Sequence, residues 1–175
     1  MAIAARTPAP PFTLVADDGS EISSSDLVGK PTVLYFYPYP NEDDQYPFVE
    51  ALPKLVALGA NAFAISNELV TNEKLNKIPR ANRLTDTSGA MLAAYDAMGL
   101  HRIYGQLLPG VLRSVVLIGA NGNVIRRWPR AVLREHFAKV IDRVKRLAAK
   151  ANPGTKAKPR GRPGKTGKTG TGKLK

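Results

Sequence analysis

The distribution of apolar and polar positions divides the first 150 residues into short buried strands and two amphipathic helices. Prolines at 8, 10 and 11 keep the entry extended, and Phe12-Thr-Leu-Val-Ala followed by Asp17-Asp-Gly-Ser predicts a strand closed by a turn. Thr32-Val-Leu-Tyr-Phe-Tyr is a continuous β-branched and aromatic run, which predicts a central strand covered on both faces. Phe48, Leu52, Leu55, Val56 and Leu58 approximate helical spacing and stop at Gly59, and Asn61-Ala-Phe-Ala-Ile-Ser then predicts a second buried strand. That order is a βαβ unit with parallel pairing. Ala90 to Met98 predicts a further helix after the Asp86-Thr-Ser-Gly turn. Ser114-Val-Val-Leu-Ile-Gly and Val124-Ile-Arg-Arg-Trp predict a hairpin around a two-residue turn at Asn121-Gly. From Leu133 to Lys150, the residues Phe137, Val140, Ile141, Val144 and Leu147 fall on one helical stripe with basic residues opposite.

After Asn152-Pro-Gly almost no apolar residue remains, so the segment has too little surface to bury against its ordering entropy and is expected to be disordered in isolation. Two regions follow, a folded domain over 1–149 and a basic tail over 150–175. The formal charge is +12, yet Lys150 to Lys175 holds nine Lys or Arg and no acid, which leaves the domain only 17 basic against 14 acidic residues. The excess charge belongs mostly to the tail and favours an acidic partner such as nucleic acid. There is no cysteine, so disulfides, thiolate metal sites and thiol redox cycles have no reacting group. The apolar run before Pro8 is too short for a secretory signal, and no stretch approaches the roughly 20 apolar residues of a membrane span. A cytoplasmic protein with no membrane partner is expected.

Several segments together resemble the peroxiredoxins, specifically the peroxiredoxin Q or bacterioferritin comigratory group. They are Phe12-Thr-Leu with Asp18-Gly-Ser, Asp26-Leu-Val-Gly-Lys-Pro-Thr-Val-Leu-Tyr-Phe-Tyr-Pro, Leu58-Gly-Ala, Ile65-Ser, Thr85-Asp with Gly89, Tyr104-Gly, and Arg113-Ser-Val-Val-Leu-Ile-Gly. The resemblance spans most of residues 8–147 and implies an α/β, thioredoxin-like three-layer sandwich. It also implies a Pro-x-x-x-Thr-x-x-Cys loop in which a thiolate attacks peroxide while the threonine and an arginine polarise it. Counted from Pro38, the threonine position falls on Glu42 and the cysteine position on Gln45, while Arg113 stands at the arginine position. An amide has no ionisable nucleophilic form, and a carboxylate opposes a developing anion. The segment from Pro38 to Leu58-Gly-Ala is also shorter than the family pattern by about four residues.

Arg113 has two readings: a retained anion pocket for carboxylate or phosphate, or a scaffold arginine satisfied by carbonyls or by the Glu42-Asp43-Asp44 cluster. That acidic run reads as a solvated loop rather than a cation site. His136 in the last helix and His101 in a basic loop lack a second ligand at metal spacing. Trp128 reads as packing at a strand end. No metal and no cofactor are expected.

Within the tail, Pro159-Arg160-Gly161-Arg162-Pro163 matches the core of the AT-hook motif. Glycine lets the backbone sink into a narrow groove, the two arginines lie along its floor, and the prolines keep the flanks extended. A·T tracts narrow the minor groove and deepen its negative potential, which favours inserted arginine. Lys156, Lys158, Lys165 and Lys168 are then placed for phosphates. The alternative is a generic polycation that binds RNA equally well. A single hook binds weakly, so firm occupancy needs a homodimer or a second contact such as Arg130, Arg134, Lys139, Arg143 and Lys145 around the last helix.

Three functions compete. The first is a catalytically inactive, DNA-associated protein, at the nucleoid in a bacterium or in the nucleus of a eukaryote. The second is an oxidoreductase-like enzyme with non-thiol chemistry at a remodelled Pro38 to Pro47 loop. The third is an inactive paralogue that binds another protein.

Overall fold

The computed structural model describes residues 3–39, 42–130 and 133–151. Its strands are β1 (Thr13–Val15), β2 (Glu21–Ser23), β3 (Thr32–Phe36), β4 (Asn61–Ser66), β5 (Arg83–Thr85), β6 (Met98–Ile103), β7 (Gln106–Val111), β8 (Ser114–Ile118) and β9 (Val124–Pro129). Helices α1 (Glu42–Ala57), α2 (Ala90–Ala94) and α3 (Leu133–Ala151) complete the regular elements. Five strands form the central sheet in the order β5-β4-β3-β8-β9. Strand β3 pairs parallel to β4 and antiparallel to β8, so the predicted βαβ unit stands at the middle of the sheet.

Every residue of β3 and of β8 is buried, as a run without polar alternation requires of a strand covered on both sides. The period-two geometry then sorts neighbours to opposite faces. Val33 and Tyr35 join Val115 and Leu117 in a core with α1 and α3, where Phe48, Leu55, Phe137, Val140 and Val144 pack. Leu34 and Phe36 join Val116 and Ile118 in a second core with Phe12, Leu92 and Tyr95. The result is the three-layer sandwich that the resemblance implies.

Four local differences from the sequence reading have physical causes. Helix α1 starts at Glu42, well before Phe48, and carries Pro47 and Pro53 inside it. Its apolar stripe excludes Val56, which is 56% exposed. Helix α2 ends at Ala94 and does not reach Met98, because Asp96 adopts a left-handed φ of 53° and the Tyr95 hydroxyl donates to Pro10 O at 2.7 Å, pulling the chain away from the helix axis.

The next segment forms an unforeseen β6–β7 hairpin. Its turn residues Tyr104 and Gly105 both have positive φ, 47° and 81°. A tyrosine in a place usually given to Asn or Gly hides the turn from a sequence reading. His101 therefore lies on β6 and not in a loop, with Nε2 2.8 Å from Val111 O. Between β8 and β9 the connection is residues 119–123 rather than a two-residue turn. Gly119 N bonds Asn123 O, Gly122 N bonds Gly119 O, and the register shifts at Leu117/Ile118.

The phase of α1 gives a direct test. Leu55 is fully buried and Val56 faces outward. Leu55→Ala is expected to lower unfolding free energy by about 2–5 kcal/mol, whereas Val56→Ala should stay within about 0.5 kcal/mol of wild type. Urea unfolding followed through the single Trp128 measures both, and equal losses would contradict this helix phase.

Candidate functional site

The end of β3 and the start of α1 place the degenerate family positions beside Arg113. Tyr35, on the last turn of β3 toward the helical layer, stacks on Tyr37 at 5.6 Å and on Phe48 at 5.8 Å, and meets Phe137 edge-on at 5.3 Å. Its hydroxyl donates to the main-chain oxygen of Asp44 at 2.7 Å. Burial holds the Tyr35 phenol far above its ordinary range and pushes that of Tyr37 up to about 12, so both remain neutral donors at physiological pH.

Asp44 is the centre of the site. Its carboxylate Oδ1 accepts from Arg113 Nε at 2.7 Å, with the Asp44 side chain 3% exposed and Arg113 45% exposed. Burial raises the Asp44 pKa, and the hydrogen bond and charge of Arg113 oppose that rise. The second oxygen, Oδ2, is buried without a hydrogen-bond partner among the described residues. The acidic run is thus no solvated loop. Its third member is drawn inside by α1 and faces the family arginine, which settles Arg113 as paired with the acidic cluster.

Gln45, at the cysteine position, is also wholly buried. Its Nε2 donates to Leu75 O at 3.1 Å and its Oε1 accepts from Lys77 N at 2.8 Å. Both ends of the amide are occupied by main-chain groups of the connection between β4 and β5, so Gln45 rivets that connection to α1. Pro38 is half-buried just before these residues, and Glu42 opens α1. The structure therefore gathers Pro38, Glu42, Gln45 and Arg113 into one region while inserting Asp44, which sequence reasoning passed over, as the partner of the arginine. Only its place within an acidic triplet pointed to it.

A second charged cluster went unseen. Arg83 on β5 is 1% exposed, binds Asp17 through Nε, and reaches Glu73 with Nη2 at 2.9 and 3.1 Å. Its partners come from a turn after β1 and from the connection before β5, separations of 66 and 10 residues that no local pattern reveals. This network joins the edge strand to both segments. Away from it, a cleft of about 190 Å³ between Phe12, Ser24, Leu27, Val28 and Ile118 is lined by no ionisable side chain. Among the described residues no group of three His, Asp or Glu side chains gathers with metal-ligand geometry.

On the outer face of α3, Arg134, Lys139, Arg143 and Lys145 are exposed, as are Arg146 and Lys150, and Arg146 Nη2 pairs with Asp142 at 2.8 Å. Arg130 is exposed at the end of β9. Trp128 is buried, with the Arg126 guanidinium 5.2 Å from its ring centre, consistent with strand-end packing. His136 is half-buried on α3. The tail positions Lys156, Lys158, Pro159, Arg160, Gly161, Arg162, Pro163, Lys165 and Lys168 lie outside the described residues. None of the described helices is long and apolar enough to cross a membrane.

Comparison with known proteins follows the same outline. Among curated relatives, the peroxiredoxin Bcp of Bacillus subtilis is 27% identical over 155 residues, covering 81% of this chain and 95% of that protein. Among solved structures, peroxiredoxin Q of Xanthomonas campestris superposes with a TM-score of 0.71 at 23% identity, covering 83% of this chain and 99% of that one. The peroxidoxin BcpB of Mycobacterium tuberculosis does so with a TM-score of 0.64 at 20% identity, covering 82% and 97%. The AhpC/TSA family pattern matches residues 5–127, the span that carries all nine strands except the last two residues of β9. With that match and the thioredoxin-like layering beneath it, this chain, which has no cysteine anywhere in its sequence, belongs to the AhpC/TSA family of peroxiredoxin-like proteins.

Proposed function

We propose that this chain is a catalytically inactive peroxiredoxin-like protein that binds DNA through its basic tail, resident in the cytoplasm at the nucleoid, or in the nucleus of a eukaryotic cell. The observation that carries the reading is the Pro159-Arg-Gly-Arg-Pro163 core set in a stretch from Lys150 to Lys175 with nine basic residues and no acid. Arginines flanking a glycine suit the narrow, electronegative minor groove of A·T-rich duplex, and the surrounding lysines suit phosphates. RNA offers the same phosphates to a polycation but a different groove geometry.

The folded domain supports the inactive half of the reading. Peroxide reduction by the family's route needs a thiolate, and position 45 holds an amide whose two ends are both bonded to main chain. The arginine that polarises peroxide in that route is here engaged by the buried Asp44 carboxylate. A negative charge sits where a developing peroxide anion would need neutralisation, so the electrostatics oppose the reaction twice over. The exposed basic face of α3 offers phosphates a further surface on the domain itself.

Gln45→Cys tests the inactive half. The new thiol is expected to be buried next to Asp44, which raises its pKa and leaves little thiolate at neutral pH. Loss of the amide leaves Leu75 O and Lys77 N without their partner, at a cost of about 1–3 kcal/mol. Stopped-flow mixing with hydrogen peroxide should show oxidation no faster than that of free cysteine; a rate orders of magnitude higher would mean that Arg113 still serves a peroxide site.

The tail is tested by titrating A·T-rich and G·C-rich duplexes against the full chain. Arg160→Ala with Arg162→Ala is expected to weaken A·T-rich binding by roughly tenfold or more and to erase the preference. Lys165→Ala with Lys168→Ala should weaken both duplexes alike and flatten the salt dependence by about 0.9 per lost phosphate contact. Equal affinity of the wild type for the two duplexes would remove the AT-hook reading.

A further inference from the structure

The β6–β7 hairpin is a two-stranded sheet of its own, with no ladder to the central sheet. Its base is anchored: Met98 pairs with the buried Val111, Leu112 N bonds Ala97 O at 2.8 Å, and His101 Nε2 lies 2.8 Å from Val111 O. Beyond that base it leaves the body. All of Gln106 to Pro109 is exposed, which means that successive residues on both faces of β7 meet solvent. The side chains displayed there are apolar: Leu100 is 63% exposed, Leu107 56%, Leu108 42%, and Tyr104 at the tip is completely exposed.

The ladder sets Leu100 opposite Pro109 and Arg102 opposite Leu107, so Leu100, Leu107 and Pro109 share one face of the ribbon. Three leucines and a tyrosine at these exposures present on the order of 400 Å² of side chain. Contiguous apolar surface of this size on a small protein marks an interaction site. A standard interface takes about 800 Å² from each partner, so these four side chains supply roughly half of one side.

We infer that the β6–β7 hairpin is the self-association surface of this protein, through which two copies form a two-fold dimer with the Leu100–Leu107–Pro109 faces in contact. The ribbon is nearly neutral, with no acidic residue from Ala97 to Asn123, so it lacks the charge pattern that would recognise a highly charged partner. The chain's own tail cannot cover it, because residues 152–175 contain a single large apolar side chain, Leu174. A two-fold contact needs only one surface that complements itself, and a flat apolar ribbon meets that condition. Arg102 keeps its stem on the leucines and its guanidinium at the rim. The dimer carries two tails, and this consequence rests on the DNA-binding proposal above: two weak hooks on one particle bind a duplex with two A·T tracts far more tightly than one.

Sedimentation equilibrium of the full chain, without DNA, is expected to give twice the chain mass of 18.9 kDa at tens of micromolar, undiminished by 1 M salt. Leu100→Asp with Leu107→Asp should sediment as a monomer with an unchanged far-UV circular dichroism spectrum. Tyr104→Asn provides an independent variant, since Asn tolerates positive φ and a fully exposed side chain supports no core; it is expected to raise the dimer dissociation constant about tenfold. A wild-type monomer, a dimer indifferent to both variants, or a monomer that co-sediments with phosphatidylglycerol vesicles through Leu100 and Leu107 would each overturn the assignment. In a parallel titration, the Leu100/Leu107 variant should lose affinity for a two-tract duplex while matching wild type on a single tract. If the tail does not bind DNA, both duplexes fail with every protein while sedimentation still reports the dimer, so the two readings fail separately.

Discussion

Burial of β3 on both faces is the constraint on which the rest of the molecule depends. Its odd and even residues belong to different cores, so neither α1 with α3 on one side nor the β1–β2 hairpin with α2 on the other can be removed without exposing half of a strand that has no polar face. Parallel pairing to β4 obliges a crossover, and α1 is that crossover. The same strand delivers Tyr35, whose hydroxyl fixes the Asp44 main chain, and Asp44 in turn fixes Arg113 at the mouth of β8. Site geometry and core packing are consequently one problem in this protein, not two.

The electrostatics of the domain follow a common pattern. Its internal positive charges are matched locally: Arg113 by Asp44, Arg83 by Asp17 and Glu73, Arg127 by Asp96. Each pair also ties together segments distant in the chain. What remains unmatched is displayed outside, on α3 and in the tail sequence. The separation leaves the interior electrically quiet and concentrates attraction for polyanions at one end of the chain.

The sequence announced strands β3, β4 and β8 and the stripe of α3 because both depend on short-range periodicity, and burial on both faces or one face writes itself directly into residue type. Arg113 and the degenerate positions Pro38, Glu42 and Gln45 were legible through spacing alone. Other features were not. The β6–β7 hairpin has no inside, so its leucines carry no alternation, and Tyr104 occupies a left-handed turn position that residue preference assigns elsewhere. Asp44 and Arg83 owe their burial to partners brought in by tertiary structure, and a carboxylate in an acidic triplet looks solvated until the helix that turns it inward is known.

Gln45 bears on the history open to this chain. Its amide holds two main-chain groups of the β4–β5 connection at once, a mechanical role that no thiol can fill. Asp44 beside it is equally committed to Arg113. A single substitution toward a nucleophile would loosen the connection and meet a hostile charge before conferring any chemistry, so selection would see only the damage. The site behaves as an evolutionary ratchet: return requires several coordinated changes, and drift in the remaining residues is free to carry the fold toward other uses.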